Sequence, residues 1–307
     1  MSASNPGREA TAGATSASRP WLAFAGCCAI WGSTFLFISI GNDELAPVWA
    51  AALRLACASI ILFALSRWTG QKLPSGPGLW PAIGYGALQF GLNFPLLYWG
   101  EKTVPSGIAA VLFATIPLSS AIFARLFGIE RLQPLKLLGA LIAIGGVAVI
   151  GGPSGNPTEW MGVFAVLAAV VAASLGTTLL KMGPRPAPFA TNALGSLVGL
   201  PICLAISRAL GESWTIPHSA SAWISIGYLT LAGSVGAFVL MTWLLHHWPV
   251  TRVAFISVVT PIVAMLLGAL VRHEPLTLAS LGGSALVLAG LGCALAGDRL
   301  PTRSSGH

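Results

Sequence analysis

The chain has 307 residues, of which 55% are hydrophobic and only 8% are charged, and its formal net charge is +7. A water-soluble domain carries roughly a quarter of its residues charged, so this composition excludes one and makes lipid the main solvent. The basic residues are spread along the chain rather than gathered in one patch, which argues against a nucleic-acid partner.

Residues 1–19 are mostly Ser, Ala, Gly and Thr with Arg8 and Arg19, and read as a disordered tail. Trp21 to Ile40 is the first apolar run, and it is long enough to cross a bilayer, which takes about 20 helical residues. Its polar Trp31-Gly32-Ser33-Thr34 centre and the missing small-residue cleavage pattern favour a retained helix over a signal sequence. Further apolar runs follow at about 46–66, 78–98, 105–127, 134–152, 160–180, 188–208, 221–243, 249–271 and 276–296. They are too long and too evenly apolar for barrel strands, so the expected fold is all-α and integral to the membrane, with ten transmembrane helices.

The loops test that count. With the N-terminus in the cytoplasm, the inner side receives Arg8, Arg19, Arg67, Lys72, Arg125, Arg131, Lys136, Lys181, Arg185, Arg252, Arg299 and Arg303. The outer side receives Lys102, Arg208 and Arg272 together with Asp43, Glu44, Glu101, Glu159, Glu212 and Glu274. This asymmetry is the one the positive-inside rule demands, and it places both termini in the cytoplasm.

The chain also repeats itself. A shift of 144 positions carries Trp99 onto Trp243, Pro105 onto Pro249, Pro117 onto Pro261 and Glu130 onto Glu274. The same shift carries Gly139 onto Gly283 and Gly146 onto Gly290 without a gap. Apolar composition scatters Leu and Ala matches but does not align Trp, Pro and Glu in one register, so the chain is an internal duplication. The expected units are a tail at 1–19, a first five-helix repeat at 20–152, a second at 153–297 and a C-terminal cytoplasmic tail at 298–307. Five is odd, so the second repeat enters the membrane from the opposite side. Inverted repeats of this kind build secondary transporters whose substrate sits between the repeats near the midplane.

Trp31-Gly32-Ser33-Thr34, Pro47, Ala51-Ala52-Leu53-Arg54, the Pro117 helix and Glu130 resemble the EamA module of the drug/metabolite transporter superfamily. The resemblance covers about residues 20 to 297. It departs at Leu175-Gly176-Thr177-Thr178, and at Gly195, which stands where the first repeat has Arg54. It implies a carrier in a bacterial-type inner (plasma) membrane that works by alternating access and exports small metabolites, often amino acids.

Polar side chains within the spans are the candidate binding residues, because they are unfavourable against lipid. Tyr85, Gln89 and Asn93 fall four apart, on one helical face. Gln and Asn offer donors and acceptors suited to an amino acid, and interhelical bonding is the competing role. Trp99, Trp243 and His246 close the third and eighth spans, either as an aromatic wall or as interface anchors. Ser33 and Thr177 follow glycines at matched positions and serve helix packing or substrate contact. Pro117 and Pro261 interrupt two spans at matched positions and are candidate gating kinks. Arg54 either meets a substrate carboxylate or fixes the second span. Glu130 and Glu274 are expected to cap the fifth and tenth spans.

Cys27, Cys28, Cys57, Cys203 and Cys293 lie in apolar runs with no metal-ligand spacing, and read as small buried residues. No metal or cofactor is expected, and neither is enzyme activity, since no nucleophile elbow, zinc motif or carboxylate pair occurs within the spans. The expected partners are a small-molecule substrate and the lipid bilayer. No Asp or Glu falls near the middle of a span, which points to passive or weakly coupled transport with His246 as the titrating candidate. A pore, or a carrier of other metabolites or drug-like cations, is the alternative. Direction of flux and monomer or oligomer state stay open.

Overall fold

A computed structural model describes residues 6–129, 134–151, 157–248, 253 and 255–297; side chains at 6–18, 151, 157–159, 238, 242, 245, 246 and 297 lie outside that description. Every regular element among these residues is helical. In chain order α1 is Pro6–Asn42, α2 is Pro47–Trp68, and α3 joins Leu79–Tyr85, a π-helical stretch Gly86–Leu92 and Asn93–Gly100. α4 joins Ser106–Phe113 and Ile116–Leu126; α5 is Pro134–Gly151, α6 is Pro157–Lys181 and α7 is Pro188–Ala209. α8 joins Ala220–Tyr228, a second π-helical stretch Leu229–Gly236 and Ala237–His247; α9 is Ile256–Arg272 and α10 is Leu278–Gly297.

Seven stretches among the described residues are long and apolar enough to cross a membrane: Arg19–Asn42, Pro47–Trp68, Ser106–Leu126, Trp160–Lys181, Pro188–Ala209, Ala220–Met241 and Leu278–Ala296. Pro134–Ile150 and Ile256–Arg272 are apolar but shorter. α3 is continuous, yet Gln89 and Asn93 dilute its apolar character. α1 extends back to Pro6, through residues whose sequence suggested a tail. Ala10, Ala12, Ala14 and Ala17 carry helical propensity there, and the membrane-length apolar part begins at Arg19.

Local signals set the helix ends. Pro47 and Pro188 open α2 and α7, where a missing N–H costs nothing. Gly70 and Gly211 follow the same two helices with φ of 67° and 68°, the left-handed conformation that ends a helix most easily with glycine. Between them Gln71 and Glu212, which are 141 positions apart, cap each other's repeat. Gln71 Oε1 accepts from Phe189 N at 2.9 Å and from Ala190 N at 3.3 Å. Glu212 accepts from Val48 N at 3.2 Å and Trp49 N at 2.9 Å. Each satisfies orphan amides at the start of the other repeat's second helix.

The packing obeys the same exchange. α5 pairs with α10, and α2 with α7. α1 lies against α8 and α9, and α6 against α3 and α4. In the α5–α10 pair Gly146 abuts the Gly283 carbonyl and Gly139 abuts the Gly290 carbonyl, so the helices are antiparallel. Gly283 is the copy of Gly139 and Gly290 the copy of Gly146, which makes the contact isologous. A two-fold axis across the helix pair therefore relates the repeats, and they are inverted.

Polarity is reversed relative to a water-soluble protein. Ile60, Trp80, Leu141, Phe164 and Leu270 are exposed, while Ser33, Arg54, Asn93, Asn192 and Ser234 are buried. Such a belt of exposed apolar side chains is stable only against lipid. Cys27, Cys28 and Cys203 are buried as expected, but Cys57 is exposed on α2. A thiol is apolar enough to face lipid, so an apolar run does not by itself imply burial.

Candidate substrate-binding site

The two π-helical stretches occupy matched places in α3 and α8. In each, a backbone bond reaches back five residues: Asn93 N to Leu88 O in the first and Ala237 N to Ala232 O in the second. Such widened turns leave backbone groups incompletely paired and recur at functional sites. Small residues admit them. A Cβ added at Gly86 would lie 2.7 Å from Gly195 Cα, so α7 approaches α3 at backbone contact. On the other side of α3, Gly176 of α6 packs against Leu88 Cβ, Gln89 N and Tyr85 O.

The Tyr85, Gln89 and Asn93 stripe brackets this turn, and its members divide. The Tyr85 hydroxyl donates to Asn192 Oδ1 at 3.0 Å, and Asn192 Nδ2 donates to Pro188 O at 2.8 Å. Tyr85 is thus a link between α3 and α7. Asn93, 1% exposed, donates from Nδ2 to Gln89 O at 3.0 Å. Asn93 Oδ1 and Gln89 Oε1 are buried and have no hydrogen-bond partner among the described residues. Two acceptors without donors, side by side at a widened turn, are costly in this setting unless a ligand supplies the donor.

Arg54 projects from α2 to the second half of α3 and to α8. Its Nε donates to Ser234 Oγ at 3.1 Å, in the α8 π-stretch, and its Nη1 to Tyr98 Oη at 3.3 Å. The guanidinium carbon stands 4.7 Å from the centre of the Phe94 ring. Ser234 Oγ in turn donates to Leu229 O across the π-turn at 3.1 Å. Among the described residues no carboxylate forms an ion pair with Arg54. A buried guanidinium whose bonded partners are neutral can still attract an anion.

The remaining candidates are placed as follows. The Ser33 hydroxyl lies 2.6 Å from Tyr228 Oη, joining α1 to α8, and Tyr228 stacks on Phe37 at 4.0 Å. The Thr177 hydroxyl bonds back to Ala173 O and Ser174 O, each at 3.0 Å, beside the Gly176 contact. Trp99 is half-buried at the end of α3. Trp243 stacks on His247 at 3.9 Å and belongs to a separate apolar cluster with Cys27, Cys28 and Trp248. The His246 side chain and Glu130 lie outside the described residues.

The two prolines differ although their sequence positions match. α4 breaks at Ala114 and Thr115 and resumes with Pro117 in the first turn of its second segment. Pro261 is buried inside the unbroken α9. Glu274 caps a helix, but not the tenth. Its carboxylate accepts from Ser106 N at 2.9 Å and Gly107 N at 3.3 Å, at the start of α4. α10 begins only at Leu278, and the nearer unpaired amides belong to the other repeat.

Sequence reasoning missed Asn192, Tyr228 and Ser234; it read Tyr98 with Trp99 as closing the third span, and Glu101 as an acid of the outer side. The chain has three tyrosines, and all three hydroxyls sit at polar junctions between helices. That scarcity was the available signal, since a phenol buried in an apolar bundle needs a partner.

Exposed apolar side chains, a buried polar interior and paired repeats are the features of a multi-pass membrane protein, and the comparisons identify it as a transporter. The sequence matches the EamA-like transporter family twice, over residues 19–152 and 160–296, and the chain belongs to that family. It is 32% identical over 252 residues to "Uncharacterized inner membrane transporter YedA" of Escherichia coli K12, covering 81% of each chain. It is 28% identical over 281 residues to "Probable amino-acid metabolite efflux pump" of Salmonella typhimurium, covering 85% of this chain and 90% of that one. A crystal structure at 20% identity superposes with a TM-score of 0.64 over 93% of this chain and 99% of that chain, which establishes a shared fold.

Proposed function

We propose that this protein exports small zwitterionic metabolites, amino acids foremost, by alternating access between its two inverted repeats. All ten helices cross the membrane in this reading, with both termini in the cytoplasm. The first repeat occupies about 20–152 and the second 153–297. The loop charges described above support that orientation.

The observation that carries the reading is the unpartnered pair Gln89 Oε1 and Asn93 Oδ1 beside the α3 π-turn, together with Arg54, which is bound to the α8 π-turn without an ion-pair partner among the described residues. The two acceptors suit a substrate ammonium, and the guanidinium suits its carboxylate. Tyr85, Ser33 and Thr177 hold the helices that present these groups. Trp99 and Trp243 border the path at opposite ends, and His246 follows Trp243 by three positions in the sequence. The efflux-pump name of the Salmonella relative supports both the substrate class and the direction.

Uptake of a labelled amino-acid panel into proteoliposomes tests this. Saturable, stereoselective uptake that is lost in a folded Gln89→Ala/Asn93→Ala double variant is expected. Flux that neither saturates nor distinguishes enantiomers would make the protein a pore, and no uptake of any amino acid would remove the substrate class.

A further inference from the structure

Glu101 has no counterpart in the second repeat, where the 144-residue shift brings Leu245. It follows Gly100 at the C-terminal end of α3, where the helix dipole already disfavours a negative charge. It is 6% exposed, and both of its carboxylate oxygens are buried without a hydrogen-bond partner among the described residues. Two more buried oxygens without partners, Asn42 Oδ1 and Ser106 Oγ, occur at the same end of the molecule. Asn42 Nδ2 is fixed on Tyr98 O at 2.9 Å, one turn before Glu101. Ser106 Oγ and the Glu274 carboxylate both crowd Gly268.

The charged and titratable groups around Glu101 are few. Arg54 of α2 attracts its charge and Glu274, between α9 and α10, repels it. Tyr98 shares its helix and is bonded to Arg54. Lys102 is its exposed neighbour, and Arg272 is turned outward onto Asp43 at 2.6 Å. Glu159 opens the adjoining α6, with its side chain outside the described residues. Burial first and Glu274 second push the Glu101 carboxyl well above the usual carboxylate range, against the pull of Arg54. The Glu274 carboxylate accepts from two backbone N–H groups, whereas neither Glu101 oxygen accepts a hydrogen bond among the described residues, which leaves the charged form of Glu101 uncompensated.

That end of the molecule is closed by polar ties between the repeats. Arg272 clasps Asp43 with two bonds, and Glu44 accepts from His218 N and from the Ser219 hydroxyl. We propose that Glu101 is a proton-binding site of the outer mouth. It holds a proton while the mouth is closed, as here, and releases that proton to outside water when the mouth opens and hydrates it. The bond broken is the Glu101 O–H, the proton passes to water, and the carboxylate stays on the protein. The closed form, in which the affinity for protons is raised, is therefore favoured in acid and yields to the open form as pH rises through its raised value. Calling this end the outer one rests on the function proposed above; the protonation of Glu101 does not.

Two measurements on the purified full chain in nanodiscs test this without any substrate. Infrared titration at neutral pH should show a protonated carboxyl band that Glu101→Gln removes. A wild-type spectrum with no such band, or one unchanged in Glu101→Gln, would overturn the proposal. Spin labels at Lys102→Cys and Thr277→Cys, in a cysteine-free background, should report a longer-distance population that grows from acidic to mildly alkaline pH. Glu101→Gln should abolish that growth, and Glu274→Gln should move its midpoint downward, because it removes a carboxylate that repels the Glu101 charge. Distances that ignore pH in the wild type, that keep their pH response in folded Glu101→Gln, or that follow sodium at fixed pH would each sink it.

Discussion

At the scale of single residues, Gln89 separates a binding role from a structural one. A structural amide in a bundle is bonded across helices, as Tyr85 and Asn192 are at 3.0 Å. The Gln89 oxygen is buried and has no hydrogen-bond partner among the described residues. Replacing an unsatisfied acceptor with an apolar group of similar size is neutral or stabilising, whereas breaking a satisfied pair costs about 1 kcal/mol. Gln89→Leu is accordingly expected to leave the unfolding midpoint in detergent unchanged or raised while abolishing transport. Tyr85→Phe is expected to lower the midpoint by the equivalent of about 1 kcal/mol. A destabilised Gln89→Leu would show that the amide holds the bundle together. The Gln89 and Asn93 stripe was legible in the sequence because polar side chains four apart in an apolar run define a face. Glu101 was not, because a carboxylate just past a helix end reads as a solvated loop residue until the neighbouring helices are seen to cover it.

At the scale of elements, the helix ends are tied across the two-fold axis rather than within each repeat. Gln71 and Glu212 perform the same capping at opposite ends of the molecule, one with a neutral amide and the other with a carboxylate. A charged acceptor gains from the positive end of a helix by roughly 0.3–1 kcal/mol more than a neutral one. Gln71→Glu is therefore expected to raise the unfolding midpoint and Glu212→Gln to lower it, with opposite signs and similar size. Equal signs would mean that the caps are not exchanged. Helix positions were legible from length and hydropathy, and so was the approximate end of each. The π-turns were not, because Gly86 and Gly91 in α3 look like ordinary small residues in a membrane helix. Only their backbone contact with Gly195 and Gly199 of α7 shows why the turn widens there. The expectation that Glu274 caps its own following helix failed for a related reason. Sequence adjacency favours α10, but the unpaired amides within reach are those of α4.

At the scale of the whole molecule, duplication was the most legible feature, and the axis it implies has a mechanical consequence. Ala143 and its copy Val287 belong to one packed cluster, so the two-fold axis passes between α5 and α10. Exchanging the states of two inverted repeats carries the α5–α10 contact onto itself, while it carries ties at one mouth onto the other mouth. Under the alternating access proposed above, the α5–α10 pair would serve as the pivot and the Arg272 to Asp43 clasp as a gate. Cross-linking Ala143→Cys to Val287→Cys in a cysteine-free background is expected to leave most of the flux intact. Cross-linking Asp43→Cys to Arg272→Cys is expected to stop it, with recovery on reduction. The reverse pattern would place the moving surfaces at α5 and α10. Equal inhibition by both cross-links would mean that the repeats do not rock about this axis, and alternating access between them would fail as the mechanism. Undiminished flux under both cross-links would fit a fixed pore, whose path needs neither mouth to move.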